Sequence, residues 1–220
     1  MLYSLVIFDL DGTLLDTLED LADSVNYALE QAAYPSRTLA EVRGFVGNGV
    51  GKLLQRALPA GCGPEQTQLA LGAFSSHYQA HCADKTRPYP GVLPLLRQLR
   101  QGGCRVAIVS NKSDGAVQSL CRRYFPGLYD LALGHLPGQA LKPSPEGVER
   151  VLETMQARRG DAVYVGDSEV DLATARNAEL DCISVSWGFR SPALLQAQGA
   201  RTIVSDPQSI ADIILGQPGS

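Results

Sequence analysis

Residues 6–17 read VIFDLDGTLLDT, an apolar run that ends in three aspartates, Asp9, Asp11 and Asp16, within eight positions. Successive side chains of an extended chain alternate between faces, so Asp9 and Asp11, two apart, present both carboxylates to one small volume. Gly12 allows a sharp turn there, and Thr13 offers a hydroxyl and a backbone N–H where the strand ends. Asp and Thr often cap helices, which accounts for Asp16 and Thr17. It does not account for Asp9, which lies too early to cap anything.

Working outward, further apolar runs of strand length are predicted as strands at 3–8, 105–110, 129–134, 161–166, 182–186 and 202–205. Their near-continuous apolar character implies burial on both faces. Between them, VLPLLRQLRQ, GAVQSLCRRY, PEGVERVLETMQ, VDLATARNA and SIADIILG place apolar residues three and four apart, the period of an amphipathic helix. This alternation predicts an α/β fold, a doubly wound parallel sheet of Rossmann-like form with right-handed crossovers. One gap, residues 17–104, is too long for a simple crossover, and LEDLADSVNYALEQA, VGKLLQRAL and QTQLALGAFSSHYQAH within it read as helix. The organisation expected is a core domain of residues 1–16 and 85–220, with a helical domain, 17–84, inserted after the first strand. The proline-rich, aperiodic stretch DKTRPYPGV at 84–92 marks the return to the core.

Composition narrows the function classes. With 220 residues, 45% hydrophobic, and a mean hydropathy of −0.04, the chain can bury a full core. No apolar run approaches the roughly 18 residues of a spanning helix, and the N-terminus lacks the basic start and cleavage site of a signal peptide, so no membrane association and a cytoplasmic location are expected. A net charge of −4 without a basic stripe gives no reason to expect nucleic acid. The five cysteines are scattered and include no CxxC, which points to reduced thiols rather than a disulfide frame or a zinc site.

Polar residues recur at the same end of other predicted strands. Ser110, Asn111 and Lys112 end the second; Asp167, Ser168 and Asp171 follow the fourth; Lys142 and Pro143 precede a helix. In an open parallel sheet the binding crevice lies outside the C-terminal strand ends, so these groups are expected to converge there. Four carboxylates gathered against one lysine are unfavourable unless a cation joins them. With oxygen donors and no His or Cys nearby in sequence, Mg²⁺ fits better than zinc.

The segments DLDGT (9–13 with its preceding strand), SNK (110–112), LKPSPE (141–146) and GDSEVD (166–171) together resemble the four ordered motifs of the haloacid dehalogenase superfamily. The resemblance implies a phosphatase in which Asp9 is the nucleophile and Asp11 the acid and base. It further implies that Thr13, Ser110, Asn111 and Lys142, with backbone N–H groups of the turn, bind the phosphoryl group. Mg²⁺ would be held by the Asp9 carboxylate, the Asp11 carbonyl and Asp167, with Asp171, and less clearly Glu169, as support. The family's dehalogenases lack the second aspartate, so its presence argues for phosphate chemistry.

The insertion point resembles that of the helical cap in the subfamily containing phosphoglycolate phosphatase. GFVGNGVGKLLQRAL at 44–58 is similar to a stretch of those enzymes, which implies that Gly47 and Asn48 meet substrate, with Lys52 and Arg56 weaker candidates. The expected substrate is a small phosphorylated metabolite, 2-phosphoglycolate first, with pyrophosphate or sugar phosphates next. Mutase chemistry is disfavoured by Leu21, where a His is usual, and phosphonate cleavage would need Lys52 as a Schiff-base lysine. A binding protein that kept the fold without the chemistry is the non-enzymatic alternative. His77 and His81 lack the Glu of HExxH and read as a solvated helix face, Trp187 reads as packing although the resemblance places its loop near the cleft, and Glu179 departs from the Gly usual in the family. Either a monomer or a homodimer is compatible with the chain.

Overall fold

A computed structural model describes residues 1–216 and divides the chain into two compact units, Met1–Leu15 with Pro88–Ser220, and Asp16–Arg87. In chain order the elements are β1 (Leu5–Phe8), β2 (Leu15–Asp16), α1 (Leu18–Gln31), α2 (Leu39–Phe45), α3 (Val50–Ala57), α4 (Pro64–His81) and β3 (Arg87–Pro88). They continue with α5 (Val92–Gln101), β4 (Arg105–Ser113), α6 (Asp114–Tyr124), β5 (Leu131–His135), α7 (Glu146–Thr154), β6 (Ala162–Gly166), α8 (Glu169–Asn177), β7 (Asp181–Val185), α9 (Pro192–Ala197), β8 (Thr202–Val204) and α10 (Pro207–Leu215).

The first unit is the α/β core. Its six parallel strands run in the order β5-β4-β1-β6-β7-β8, and the reversal of direction at β1 is what makes the sheet doubly wound. Both central strands are apolar along their whole length, LVIF in β1 and AVYVG in β6, and every residue of both is buried because helices cover each face. On one face Leu5, Ile7, Val109 and Tyr164 pack with Val148 and Val151 of α7 and Ala175 of α8. The edge strand β5 alternates buried and half-buried positions instead.

Strand β4 runs three residues beyond the predicted 105–110, so Asn111 and Lys112 lie within it, with Ser113 at its end. The ladder to β5 is irregular between Val109 and Ser113, a bulge-like shift that lets polar side chains occupy the end of a central strand. Two helices, α2 and α9, have no counterpart in the predicted pattern. Each is short and buries a single hydrophobic residue, Val42 or Leu195, which leaves no period to read. Beyond α8, Glu179 takes φ +56°, the left-handed turn where glycine is free of strain.

The second unit is helical. Leu18, Leu21, Ala22, Val25, Ala28 and Leu29 form the buried stripe of α1, and Ala70, Phe74 and Tyr78, four apart, that of α4. Helix α2 starts with a capping box in which Thr38 and Glu41 exchange bonds, Thr38 N–H to the Glu41 carboxylate at 2.8 Å and Glu41 N–H to Thr38 Oγ1 at 3.3 Å. The buried Asp20 carboxylate accepts from the N–H groups of Lys85 (3.0 Å) and Thr86 (2.8 Å), tying the returning chain to α1.

Candidate active site

The parallel register of β1 pairs Phe8 with Ile108 of β4 and with Val165 of β6. Asp9, the next residue, continues the ladder through its N–H to the Val165 carbonyl at 2.9 Å. Carried one step further, the same register sets Ser110 and Asp167 beside the residue after Asp9. Groups far apart in sequence thus share one strand-end level.

Lys142, in the loop before α7, lies among these residues. Its ammonium is 2.8 Å from Asp9 Oδ1 and 2.7 Å from Asp171 Oδ1, and it donates to the Tyr164 hydroxyl at 3.1 Å. The lysine's main chain is pinned as well: its N–H donates to Asn111 Oδ1 (2.7 Å), and Asn111 Nδ2 donates to its carbonyl (3.1 Å). The Asn111 side chain therefore holds the main chain of Lys142. Asp171 is also fixed from its own helix. Ser168 caps α8 and donates both its hydroxyl (2.6 Å) and its N–H (3.1 Å) to Asp171 Oδ2.

Burial sets the electrostatics of this group. Asp9, Lys142, Asp167 and Asp171 are each no more than 7% exposed. Desolvation pushes the Asp9 carboxyl up to about 7 although Lys142 opposes the shift, and it pushes Asp167 well above the carboxylate range, reinforced by Asp171 and Asp9. Burial also disfavours the charged form of Lys142, but Asp171 and Asp9 outweigh it and hold the ammonium well above its ordinary value. Three carboxylates, Asp9, Asp167 and Asp171, offer oxygens within 4.8 Å of one another. One ammonium cannot neutralise all three, and an all-oxygen donor set of this kind suits a hard divalent cation.

Asp11 has a lysine of its own. Lys112 Nζ donates to Asp11 Oδ2 at 2.9 Å, with the two side chains 5% and 14% exposed, while Asp11 Oδ1 is buried without a hydrogen-bond partner. The turn between them and the helical unit is tight. Gly12 (φ +86°) donates its N–H to the Leu15 carbonyl and Thr13 its N–H to the Leu10 carbonyl, which closes the turn. A Cβ on Gly12 would lie 2.5 Å from an Asp167 oxygen, which explains why glycine stands there.

The loop after β7 braces Asp167. Thr13 Oγ1 donates to Asp167 Oδ1 (3.2 Å) and the Phe189 N–H to Oδ2 (2.7 Å). The indole N–H of Trp187 donates to the Thr13 carbonyl at 3.1 Å, and Arg190 pairs with Glu169 at 2.8 Å, so Trp187 is a strut of the site rather than simple packing. Tyr164, Trp187 and Phe189 thus join the constellation that the motifs outline, and Lys112 of SNK takes Asp11 as its partner.

In the helical unit, Gly47 (φ +129°) and Asn48 form the loop before α3. Arg56 Nη2 donates to Asn48 Oδ1 and Nη1 to the Phe45 carbonyl, both at 2.8 Å, while the exposed Lys52 bonds to Gln55. His77 accepts or donates at Ser24 Oγ (2.9 Å) and stacks between Tyr27 and His81, and His81 pairs with Asp84. Neither histidine belongs to a group of three metal-binding side chains among the described residues.

Residues 6–185 match the family described as haloacid dehalogenase-like hydrolase. A phosphoglycolate phosphatase of Cereibacter sphaeroides is 38% identical over 191 residues, 84% of this chain and 86% of that protein. One from Rhodospirillum rubrum is 34% identical over 226 residues, 97% and 92% respectively. The crystal structure of a candidate phosphoglycolate phosphatase from Lactobacillus delbrueckii subsp. bulgaricus superposes with a TM-score of 0.93 at 38% identity, covering 99% of this chain and all of that one. No helix among the described residues is long and apolar enough to cross a membrane.

Proposed function

Because the chain belongs to the haloacid dehalogenase-like hydrolases and is a phosphatase, we propose that it hydrolyses a small phosphomonoester, 2-phosphoglycolate first, through an aspartyl-phosphate formed on Asp9. The observation that carries this reading is the buried contact of Asp9 with Lys142, itself anchored by Asp171, beside a second aspartate two residues on. In the first step an Asp9 oxygen attacks phosphorus, the ester P–O bond breaks, and its electron pair leaves on the ester oxygen, which takes a proton from Asp11. In the second, water attacks the phosphorus of the aspartyl-phosphate and gives a proton to Asp11, and the Asp9 carboxylate is released with phosphate. Lys142 and the Ser110 hydroxyl would balance charge on the phosphoryl oxygens throughout.

The crowding of buried carboxylates supports a divalent ion, which we take to be Mg²⁺ held by the Asp9 carboxylate, the Asp11 carbonyl and Asp167. Bound there, it would neutralise charge so that a phosphate dianion can approach a carboxylate. Asp171, already engaged by Lys142, Ser168 and Tyr164, suits a supporting role. The unit Asp16–Arg87 would act as a cap, with the Gly47–Asn48 loop contributing to substrate choice. All five thiols are free, which suits the reducing cytoplasm.

The test is phosphate release from 2-phosphoglycolate, pyrophosphate and a panel of sugar phosphates, with Mg²⁺ or with EDTA. A strong preference for 2-phosphoglycolate that EDTA abolishes is expected. Equal release across the panel would overturn the substrate, and release undiminished in EDTA would overturn the metal.

A further inference from the structure

Lys112 has no part in the phosphoryl contacts described above, yet it is a buried lysine that meets the carboxylate of the proposed acid and base. Burying an ammonium is costly unless a charged partner and hydrogen bonds compensate it. Here the partner is Asp11 Oδ2 at 2.9 Å, and the lysine is 9% exposed as a whole residue. The other oxygen, Asp11 Oδ1, is buried and meets no hydrogen-bonding group. A lone carboxylate on a turn could rotate about its last torsion and offer either oxygen in several directions. With Oδ2 held, only one oxygen remains to exchange a proton, and its direction is fixed.

We propose that Lys112 is a positioning residue that clamps Asp11 Oδ2 so that Oδ1 delivers the proton to the departing ester oxygen; this rests on the reading of Asp11 as acid and base. Two features make the clamp rigid. Lys112 is a buried residue of β4, and directly after it the ladder to β5 resumes with Ser113 opposite His135. Its own N–H donates to Ser110 Oγ at 3.3 Å, so the lysine that orients the acid is joined to the hydroxyl expected at the phosphoryl group. The bonds that change are those of the first step above, with the proton passing from Asp11 Oδ1 to the ester oxygen as the P–O bond breaks. Lys112 loses and gains no proton.

The consequence is a dependence on the leaving group. An alkoxide needs a proton as it departs, whereas p-nitrophenolate is stable without one, and kcat/KM reports only the steps up to formation of the aspartyl-phosphate. Lys112→Met, Lys112→Arg and Asp11→Asn are compared on an alkyl phosphomonoester (2-phosphoglycolate or whichever the panel favours) and on p-nitrophenyl phosphate. Lys112→Met is expected to lower kcat/KM for the alkyl ester about thirtyfold or more and for the aryl ester by no more than about threefold, with Lys112→Arg recovering much of the difference. An equal loss on both esters, or no loss on either, overturns the clamp. If Asp11→Asn itself fails to discriminate between the esters, it is the acid and base role of Asp11 that falls; discrimination by Asp11→Asn without discrimination by Lys112→Met refutes Lys112 alone. Thermal unfolding of each variant, with Lys112→Arg as the variant that keeps the charge, separates misfolding from mispositioning.

Discussion

The strand ends of the α/β core and the helices of Asp16–Arg87 use charge in opposite ways. At the strand ends Asp9, Lys112, Lys142, Asp167 and Asp171 are all buried, each with a partner of opposite charge or a set of hydrogen bonds. In the helical unit the buried carboxylate, Asp20, anchors backbone, while Lys52 and Arg56 are exposed and Asn48 half-buried. Desolvated charges interact strongly and cannot relax, so they suit a reaction whose geometry must not vary. Exposed groups interact weakly and can be exchanged at little cost to folding, so they suit the selection of one substrate over another.

The largest test of this contrast is Asp9→Asn. Turnover should fall by about four orders of magnitude or more, because the amide is no nucleophile, while the thermal midpoint holds or rises as one of three crowded, buried carboxyl groups is replaced by a neutral amide. A loss of less than about a hundredfold would end the role of Asp9, and a collapse of the midpoint would show that its charge is structural. A smaller effect is expected from Arg56→Ala, which frees the Phe45–Asn48 loop: KM for the preferred metabolite should rise about three- to tenfold, with kcat/KM for p-nitrophenyl phosphate unchanged. If both substrates suffer equally, the helical unit does more than select. The smallest effect lies outside both regions. Glu179→Gly relieves the left-handed backbone after α8, and chemical denaturation should show a gain of about 0.5–1 kcal/mol with no change in kcat.

The residues legible in the sequence are those whose meaning is local. Asp9 and Asp11 share a face because they are two apart, and Asp171 reaches back to Ser168 because it is three residues into a helix. The partnership of Lys112 with Asp11 is of another kind. The sequence places Lys112 at a strand end with the other polar groups, but which carboxylate it meets depends on β4 lying beside β1, more than ninety positions away in sequence, and nothing near Lys112 names Asp11 as its partner. Tyr164 was hidden for the opposite reason: within DAVYVG it reads as a core aromatic, which its ring is, while its hydroxyl meets Lys142 and Asp171. Trp187 likewise reads as packing until β7 carries its loop to the turn after β1. In the helical unit the long periodic helices were legible, and α2, with one buried residue, was not.

Trp187 is the chain's single tryptophan, and its indole N–H is bonded to the carbonyl of Thr13 on the turn that follows Asp9. Indole emission shifts with the polarity and hydrogen bonding around the ring, so the unlabelled protein carries one fluorophore wired to its most sensitive backbone. Titration with a divalent ion or with inorganic phosphate is expected to shift that emission, without a substrate, a coupling enzyme or a dye, and an unchanged spectrum would uncouple the indole from the site. The helices of Asp16–Arg87 contain no tryptophan, so they report at that wavelength only through the surroundings of the Trp187 ring.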